Sequence, residues 1–103
     1  MLKPSPKPAA RISAETAESL AIDALGFLAG EPERIGRFLA ISGIESQDLR
    51  RAAAEPGFLA GVLAYLTDDE SLTLAFAANA GISPDSVVKA RHVLSPADER
   101  DTP

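Results

Sequence analysis

Few residues in this chain are of types that could do chemistry. The single histidine, His92, directly follows Arg91, and this positive neighbour disfavours both imidazolium and a bound cation. A lone histidine near a helix C-terminus is typical of a surface position where positive charge is favourable. Because the chain has one His and no Cys, a His pair on a metal, a thiol nucleophile and a thiolate-bound zinc are excluded.

The densest acidic run is Asp68-Asp69-Glu70, which follows Thr67. These residues fit a capping box, with Thr67 at the N-cap and Glu70 at the third helical position. A calcium loop would instead spread its oxygen ligands over about a dozen residues around a glycine bend. Since the chain also shows no Gly-rich phosphate loop, we expect no enzyme, no cofactor and no metal site.

Four arginines form the one basic cluster of the region 13–97 and flank Gly43-Ile44. Together with apolar residues outside the main helical stripes, they could form a surface for an acidic partner protein. The predicted partner-binding patch consists of Arg34, Arg37, Arg50, Arg51, Phe27 and Tyr65, with Leu74 as a further exposed apolar candidate. The alternative is that the arginines lie on solvated helix faces and pair with Glu33, Glu45, Asp48 and Glu55.

Residues 76–94 have the outline of a helix-turn-helix motif, because an Ala-rich helix ends at Gly81 and Ser83-Pro84 opens a helix with three basic residues. A recognition helix presents its first turn to DNA. Here that turn carries Asp85, whose carboxylate repels phosphate. A nucleic-acid binder that uses residues 76–94 is therefore the alternative to a protein-binding module, and nucleic acid is not the expected partner.

The composition is that of a soluble globular chain of one domain, with 103 residues, 46% hydrophobic and 24% charged. The net charge is −5, and the region 13–97 holds 12 acidic against 6 basic residues, which disfavours phosphate backbones. No stretch approaches the ~20 apolar residues of a membrane span, and no apolar signal sequence follows Met1. We expect a cytoplasmic protein with no membrane partner, either a monomer or a weak homodimer.

Helix start and stop signals recur along the chain and predict six helices. Both Gly-Ile pairs, 43–44 and 81–82, fit the Schellman motif that ends a helix. The predicted helices run from Ser13 to Gly30, from Pro32 to Gly43, from Ser46 to Ala54, from Pro56 to Leu66, from the N-cap at Thr67 to Ala80, and from Ser83 to Ser95.

The predicted fold class is thus all-α, a compact bundle of about six short helices. Residues 13–95 form a single helical domain, between a disordered, basic, Pro-rich leader over 1–12 and a flexible acidic tail over 96–103. Gly26 and Gly36 fall inside predicted helices, where the close approach of a neighbouring helix would explain them.

The chain resembles itself at an offset of 38 residues, which places 20–52 over 58–90 without a gap. Seven of the 33 aligned pairs are identical, among them Leu28/Leu66, Phe38/Phe76 and Gly43/Gly81. This match predicts two three-helix units, 20–52 and 58–90. It has an alternative explanation, in which six capped helices match because they share the same start and stop signals.

The stretches "ALGFLAGEPERIGRFLA", "SGI" followed by "DLR", and "FLAGVLAYL" followed by "DDE" resemble a family of small bacterial proteins known as domain of unknown function 3572. The resemblance covers roughly residues 13–94. It implies a compact, all-helical cytosolic protein, and it brings no activity, cofactor or site residue with it. From the residues themselves, the leading function is a non-enzymatic helical protein-protein interaction module.

Overall fold

The computed structural model describes residues 12–95. The predicted leader, apart from residue 12, and the predicted tail lie outside the described residues. The helices are α1 (Ala14–Ala29), α2 (Pro32–Ser42), α3 (Leu49–Ala52), α4 (Pro56–Thr67), α5 (Glu70–Ala80) and α6 (Pro84–Leu94), with a 3-10 turn (Ser46–Asp48) directly before α3. No residue in this range is in a strand. The predicted all-α bundle of six short helices is confirmed.

Helix starts follow the local signals in the sequence. The Ser13 hydroxyl accepts a hydrogen bond from the Thr16 N–H at 3.0 Å, and the Ser83 hydroxyl accepts one from the Ser86 N–H at 3.2 Å. Helices α2, α4 and α6 each carry proline in the first turn, where its missing N–H leaves no hydrogen bond unmade. These caps set where each helix begins and therefore which face it turns inward.

The capping box predicted at Thr67 is wrong. Thr67 is the last residue of α4, and its hydroxyl donates to the Leu63 carbonyl at 2.8 Å. The N-cap of α5 is Asp69, whose carboxylate accepts from the Leu72 N–H at 3.1 Å. Because the Thr67 hydroxyl is held by the preceding helix, it is not available to cap the next one, and Glu70 is the first residue of α5.

The core lies where α1, α4 and α6 pack against one another, while α2 packs on α1, and α5 on α4 and α6. Alanines on one face of α1 are fully buried and allow α6 to approach closely. The buried apolar residues are Ala17, Ala21, Ala24, Leu25, Leu28, Phe38, Leu59, Val62, Leu63, Leu66, Phe76, Ala77, Val87 and Ala90. Helix α6 is thus a central element and not a peripheral one.

The two Gly-Ile corners end their helices differently. Gly43 and Gly81 both have a positive φ, 78° and 73°, which glycine adopts without strain. At the second corner the Ile82 N–H donates to the Ala77 carbonyl at 3.0 Å, so the predicted Schellman motif is confirmed.

At the first corner the Schellman prediction is wrong. The Leu39 carbonyl, which the Ile44 N–H would have to reach, accepts the Gly43 N–H at 2.9 Å and the Ser42 hydroxyl at 3.3 Å. The result is the simpler left-handed cap with a single backbone hydrogen bond. Ala80 precedes the second corner and has no hydroxyl to compete in this way.

The 38-residue offset is visible in the helix bounds. Helix α2, Pro32–Ser42, shifted by 38 residues coincides with α5, Glu70–Ala80, and Ser46 shifts onto Pro84. The third elements differ, since α6 extends to Leu94 whereas α3 ends at Ala52 and has no buried residue. The first half (α1–α3) and the second half (α4–α6) therefore share two helices and a corner but not the third helix.

The close helix packing expected at Gly26 and Gly36 is wrong. Both residues are exposed, and no heavy atom lies within 4 Å of the position that a Cβ would take at either residue. Neither glycine is needed for the approach of a neighbouring helix in this fold.

Candidate functional site

A continuous apolar groove lies at the first Gly-Ile corner, between the end of α2 and the length of α4. It consists of two adjoining hollows of about 540 Å³ and 430 Å³ that share Ile44 and Phe58. We call this surface the corner groove. Its lining consists of Phe38, Ile41, Ser42, Gly43, Ile44, Glu45, Asp48, Arg51, Ala52, Glu55, Gly57, Phe58, Gly61, Tyr65 and Asp68.

Two glycines of α4 keep the groove open. Gly57 and Gly61 are four residues apart, so they lie one helical turn apart on the same face. Both are exposed, and the position of a Cβ at either one has no heavy atom within 4 Å. Part of the groove floor is therefore bare helix backbone, which another element can approach closely.

An aromatic cluster forms the wall of the groove. The buried Phe38 of α2 packs edge-on against two rings of α4, with ring centroids 5.7 Å from Phe58 and 5.2 Å from Tyr65. Such edge-to-face pairs contribute roughly 0.5–1.5 kcal/mol each beyond the area they bury. The wall is thus held in place from inside the protein while the outer sides of Phe58 and Tyr65 remain partly accessible.

Ile41 stands at the mouth of the groove and is 67% exposed, the largest exposed fraction among the large apolar side chains of the described residues. A single exposed isoleucine is ordinary on a protein surface, but this one continues an apolar groove and enlarges its contiguous exposed apolar surface.

The charged residues of the groove are mostly acidic. Four carboxylates line it, those of Glu45, Asp48, Glu55 and Asp68, against one guanidinium, Arg51. Arg51 lies 3.0 Å from Asp48. Within residues 12–95, Glu45 and Glu55 take part in no ion pair. The surface that is open and apolar is therefore bordered by negative charge.

The structure brings only some residues of the predicted partner-binding patch together. Tyr65 and Arg51 line the corner groove. Phe27 is half-buried against Phe76, with ring centroids 5.5 Å apart, and the Arg34 guanidinium carbon lies 4.4 Å above the centre of the Phe27 ring.

The remaining two arginines lie elsewhere. Arg37 is exposed on α2, and Arg50 lines a separate groove between α1 and the segment 46–53. The further apolar candidate, Leu74, is 48% exposed on α5. Among Glu33, Glu45, Asp48 and Glu55, the proposed ion-pair partners of the arginines, only Asp48 forms such a pair in the described residues.

The separate groove between α1 and the segment 46–53 differs from the equivalent region of the second half. It has a volume of about 450 Å³, and its lining includes Ala29 and Ala53. The residues 38 positions later are Thr67 and Arg91, and the Arg91 guanidinium donates to the Thr67 hydroxyl at 2.8 Å. This hydrogen bond, which we call the latch, fastens α6 to the end of α4, and the first half has two alanines in its place.

The structure does not favour a nucleic-acid interface on α6. Val87 and Ala90 are fully buried, Lys89 lies 3.0 Å from Asp85, and Arg91 forms the latch. His92 is exposed in the last turn of the helix, as predicted. Lys89 and Arg91 are thus both engaged within the chain.

Residues 12–95 contain neither a metal-binding cluster nor a membrane-spanning helix. No group of three or more His, Asp or Glu side chains there is arranged to hold a metal ion. No helix in this range has the length and apolar character needed to cross a bilayer.

A comparison with protein families matches residues 14–97 to the family described as "Protein of unknown function (DUF3572)". The chain belongs to the DUF3572 family. The match spans all six helices, which confirms the resemblance found in the sequence. No curated protein and no solved structure matches this DUF3572 chain.

Proposed function

We propose that this DUF3572 protein is a non-enzymatic helical module that binds another protein through the corner groove. The observation that carries the proposal is the exposure of Ile41, 67%, at the mouth of a continuous apolar groove. Contiguous exposed apolar surface with a polar border is the common signature of a protein-protein interface.

The groove also has the composition of an interaction surface. It offers two aromatic side chains that are partly accessible and internally supported, and aromatic residues of this kind are enriched at the energetic centres of interfaces. It contains no histidine, and its Ser42 hydroxyl donates to the Leu39 carbonyl. These features support binding and do not support chemistry on a substrate.

The experiment is site-specific photo-crosslinking in cells that produce the full chain. A benzophenone amino acid replaces Ile41 in one variant and Leu74 in another. Leu74 is the matched control, because it is also a large exposed apolar residue on a helix, at 48%, but it does not line the corner groove. A third variant carries the probe at Tyr65, on the wall of the groove.

We expect a discrete crosslinked species of higher mass from positions 41 and 65 and none from position 74. Mass spectrometry of the adduct should identify a second polypeptide. The proposal is overturned if position 41 gives no adduct, or if positions 41 and 74 give the same products, because the groove would then be no better a contact surface than the rest of the protein.

A further inference from the structure

We infer that the element seated in the corner groove is an amphipathic helix of the partner whose polar face is basic. This inference rests on the proposed function, since it names the chemistry of the partner at the same site. It deepens that proposal with two observations, the geometry of the groove and the sign of its charged border.

The geometry favours a helix over an extended peptide. The groove is lined by α2, α4 and the segment 43–52, which is a turn followed by helical residues, and residues 12–95 present no strand edge to pair with. An extended segment would thus bring unpaired backbone N–H and C=O groups to an apolar floor, at a cost. A helix satisfies its own backbone and can lay an apolar stripe into the groove.

The length of the groove fits a short helix. Its lining runs from Glu55, just before α4, to Asp68, just after it, which is roughly 20 Å at 1.5 Å per helical residue. A partner helix of about 14 residues would span this distance. The bare backbone at Gly57 and Gly61 gives room for its largest apolar side chains.

The charges favour a basic partner over an acidic one. Carboxylates stand at both ends, Glu45 and Glu55 near the corner and Asp68 at the far end of α4. Asp68 lies 3.6 Å from Arg91 and Asp48 lies 3.0 Å from Arg51, so Glu45 and Glu55 carry the uncompensated charge. Complementary charge of this kind at an interface rim selects the partner and accelerates association. The acidic partner expected from the arginines in the sequence does not fit this surface.

The test uses two synthetic amphipathic peptides of about 18 residues with the same leucine stripe. One carries lysine and the other glutamate on the polar face. Binding to the full chain is measured by fluorescence anisotropy at two salt concentrations. We expect the lysine peptide to bind with a dissociation constant at least roughly tenfold lower than that of the glutamate peptide, and to bind more weakly at the higher salt concentration.

Two double variants distinguish peptide binding in the groove from general electrostatic attraction to the acidic protein. Glu45→Lys with Glu55→Lys reverses the rim, and Asp23→Lys with Glu31→Lys changes the net charge equally at exposed sites outside the groove. Glu31 matches Glu55 closely, because each is an N-cap without a side-chain hydrogen bond directly before proline. The rim variant should lose roughly tenfold in affinity for the lysine peptide, and the control less than about threefold.

A third variant tests the floor without harming the fold. Gly61→Ala adds a methyl group where no atom lies within 4 Å and raises helix propensity, so the protein should be at least as stable as before. Peptide affinity should nevertheless fall severalfold, whereas Gly36→Ala, on α2 outside the groove, should leave it unchanged. If Gly61→Ala and Gly36→Ala bind the lysine peptide with the same affinity, the groove floor is not a contact surface.

Other occupants give distinct results that overturn the inference. Equal binding of the two peptides, or an equal loss in both charge variants, would show attraction that does not depend on the groove. Sedimentation that finds a dimer, converted to a monomer by Ile41→Asp, would assign the groove to a second copy of this chain. If the peptides fail while crosslinks form at position 41, the protein-binding function stands and only the basic helix is wrong.

Discussion

The two halves of this molecule begin alike and end differently. In both, two helices are joined through matched positions and a left-handed glycine ends the second helix. In the second half the chain then forms α6, which packs against α1 and α4 and is held by the latch. In the first half it forms a 3-10 turn and a helix of four residues with no buried side chain. The corner groove lies beside the short third element, between α2 of the first half and α4 of the second half.

This difference shows how one architecture can provide both a core and a surface. A third helix that reaches the centre closes its half, with Val87 and Ala90 fully buried. A third element that stops early leaves the aromatic side chains between α2 and α4 partly uncovered. Helix α6 thus contributes to the core of the bundle, whereas the segment 46–52 borders the surface on which the proposed function depends.

The largest effects should come from the two phenylalanines that are equivalent between the halves. Phe76→Ala should lower the free energy of unfolding by about 3–5 kcal/mol, because Phe76 is 1% exposed and borders only a small hollow of about 250 Å³. Phe38→Ala should cost at least about 1 kcal/mol less, because its partners Phe58 and Tyr65 border an open groove that water can enter. Urea unfolding of both variants measures the difference, and equal losses would contradict the distinction between the halves.

The latch should contribute a smaller but measurable amount. In a double-mutant cycle of Arg91→Leu and Thr67→Ala, we expect a coupling free energy of about 1 kcal/mol. The Arg91 side chain is only partly exposed, whereas Arg51, paired with Asp48, has a side chain that is 78% exposed. Arg51→Leu is therefore the matched control and should change stability by less than about 0.5 kcal/mol. A coupling near zero would mean that the latch does not hold α6.

Replacing the glycine at either corner should lower stability by the same amount, although the third elements that follow the two corners differ. Gly43→Ala and Gly81→Ala should each destabilise by about 1 kcal/mol, because alanine is strained at a positive φ. Gly36→Ala should instead stabilise by about 0.5–1 kcal/mol, since its backbone is helical and its Cβ position is open. Thermal unfolding of the three variants checks the signs, and a neutral Gly43→Ala would show that the first corner relaxes.

Local signals in the sequence are sufficient to predict most of the helices of the fold. Proline at the first turn, serine at the N-cap and glycine at the C-cap act over a few residues, and these placed five of the helices within one or two residues of their observed bounds. The third helix is the exception, because the sequence predicts a helix from Ser46 to Ala54 whereas the α-helix spans only Leu49–Ala52. The six-helix bundle and the shared register of α2 and α5 followed from the same signals.

Contacts between distant residues could not be predicted in this way. The Thr67 hydroxyl could either cap α5 or bond within α4. Which of the two it does depends on its hydrogen bonds to Leu63 and to Arg91, which lies 24 residues away. Whether the corner groove is open depends on which helices pack over it, and no local sequence pattern indicates this. A partial signal was present in Ile41, which falls outside the Ile35-Phe38-Leu39 stripe of α2, and in Gly57 and Gly61 at helical spacing.

The most direct test of the account is residue-resolved hydrogen exchange of the full chain, alone and with the lysine peptide. We predict that amides of α6 exchange only through global unfolding, and that amides of 46–52 exchange roughly a hundredfold faster in the free protein. The peptide should slow exchange around the corner, from Gly43 to Phe58, and leave α6 unchanged. Equal protection of 46–52 and α6 in the free protein, or no slowing at the corner with the peptide, would contradict the account.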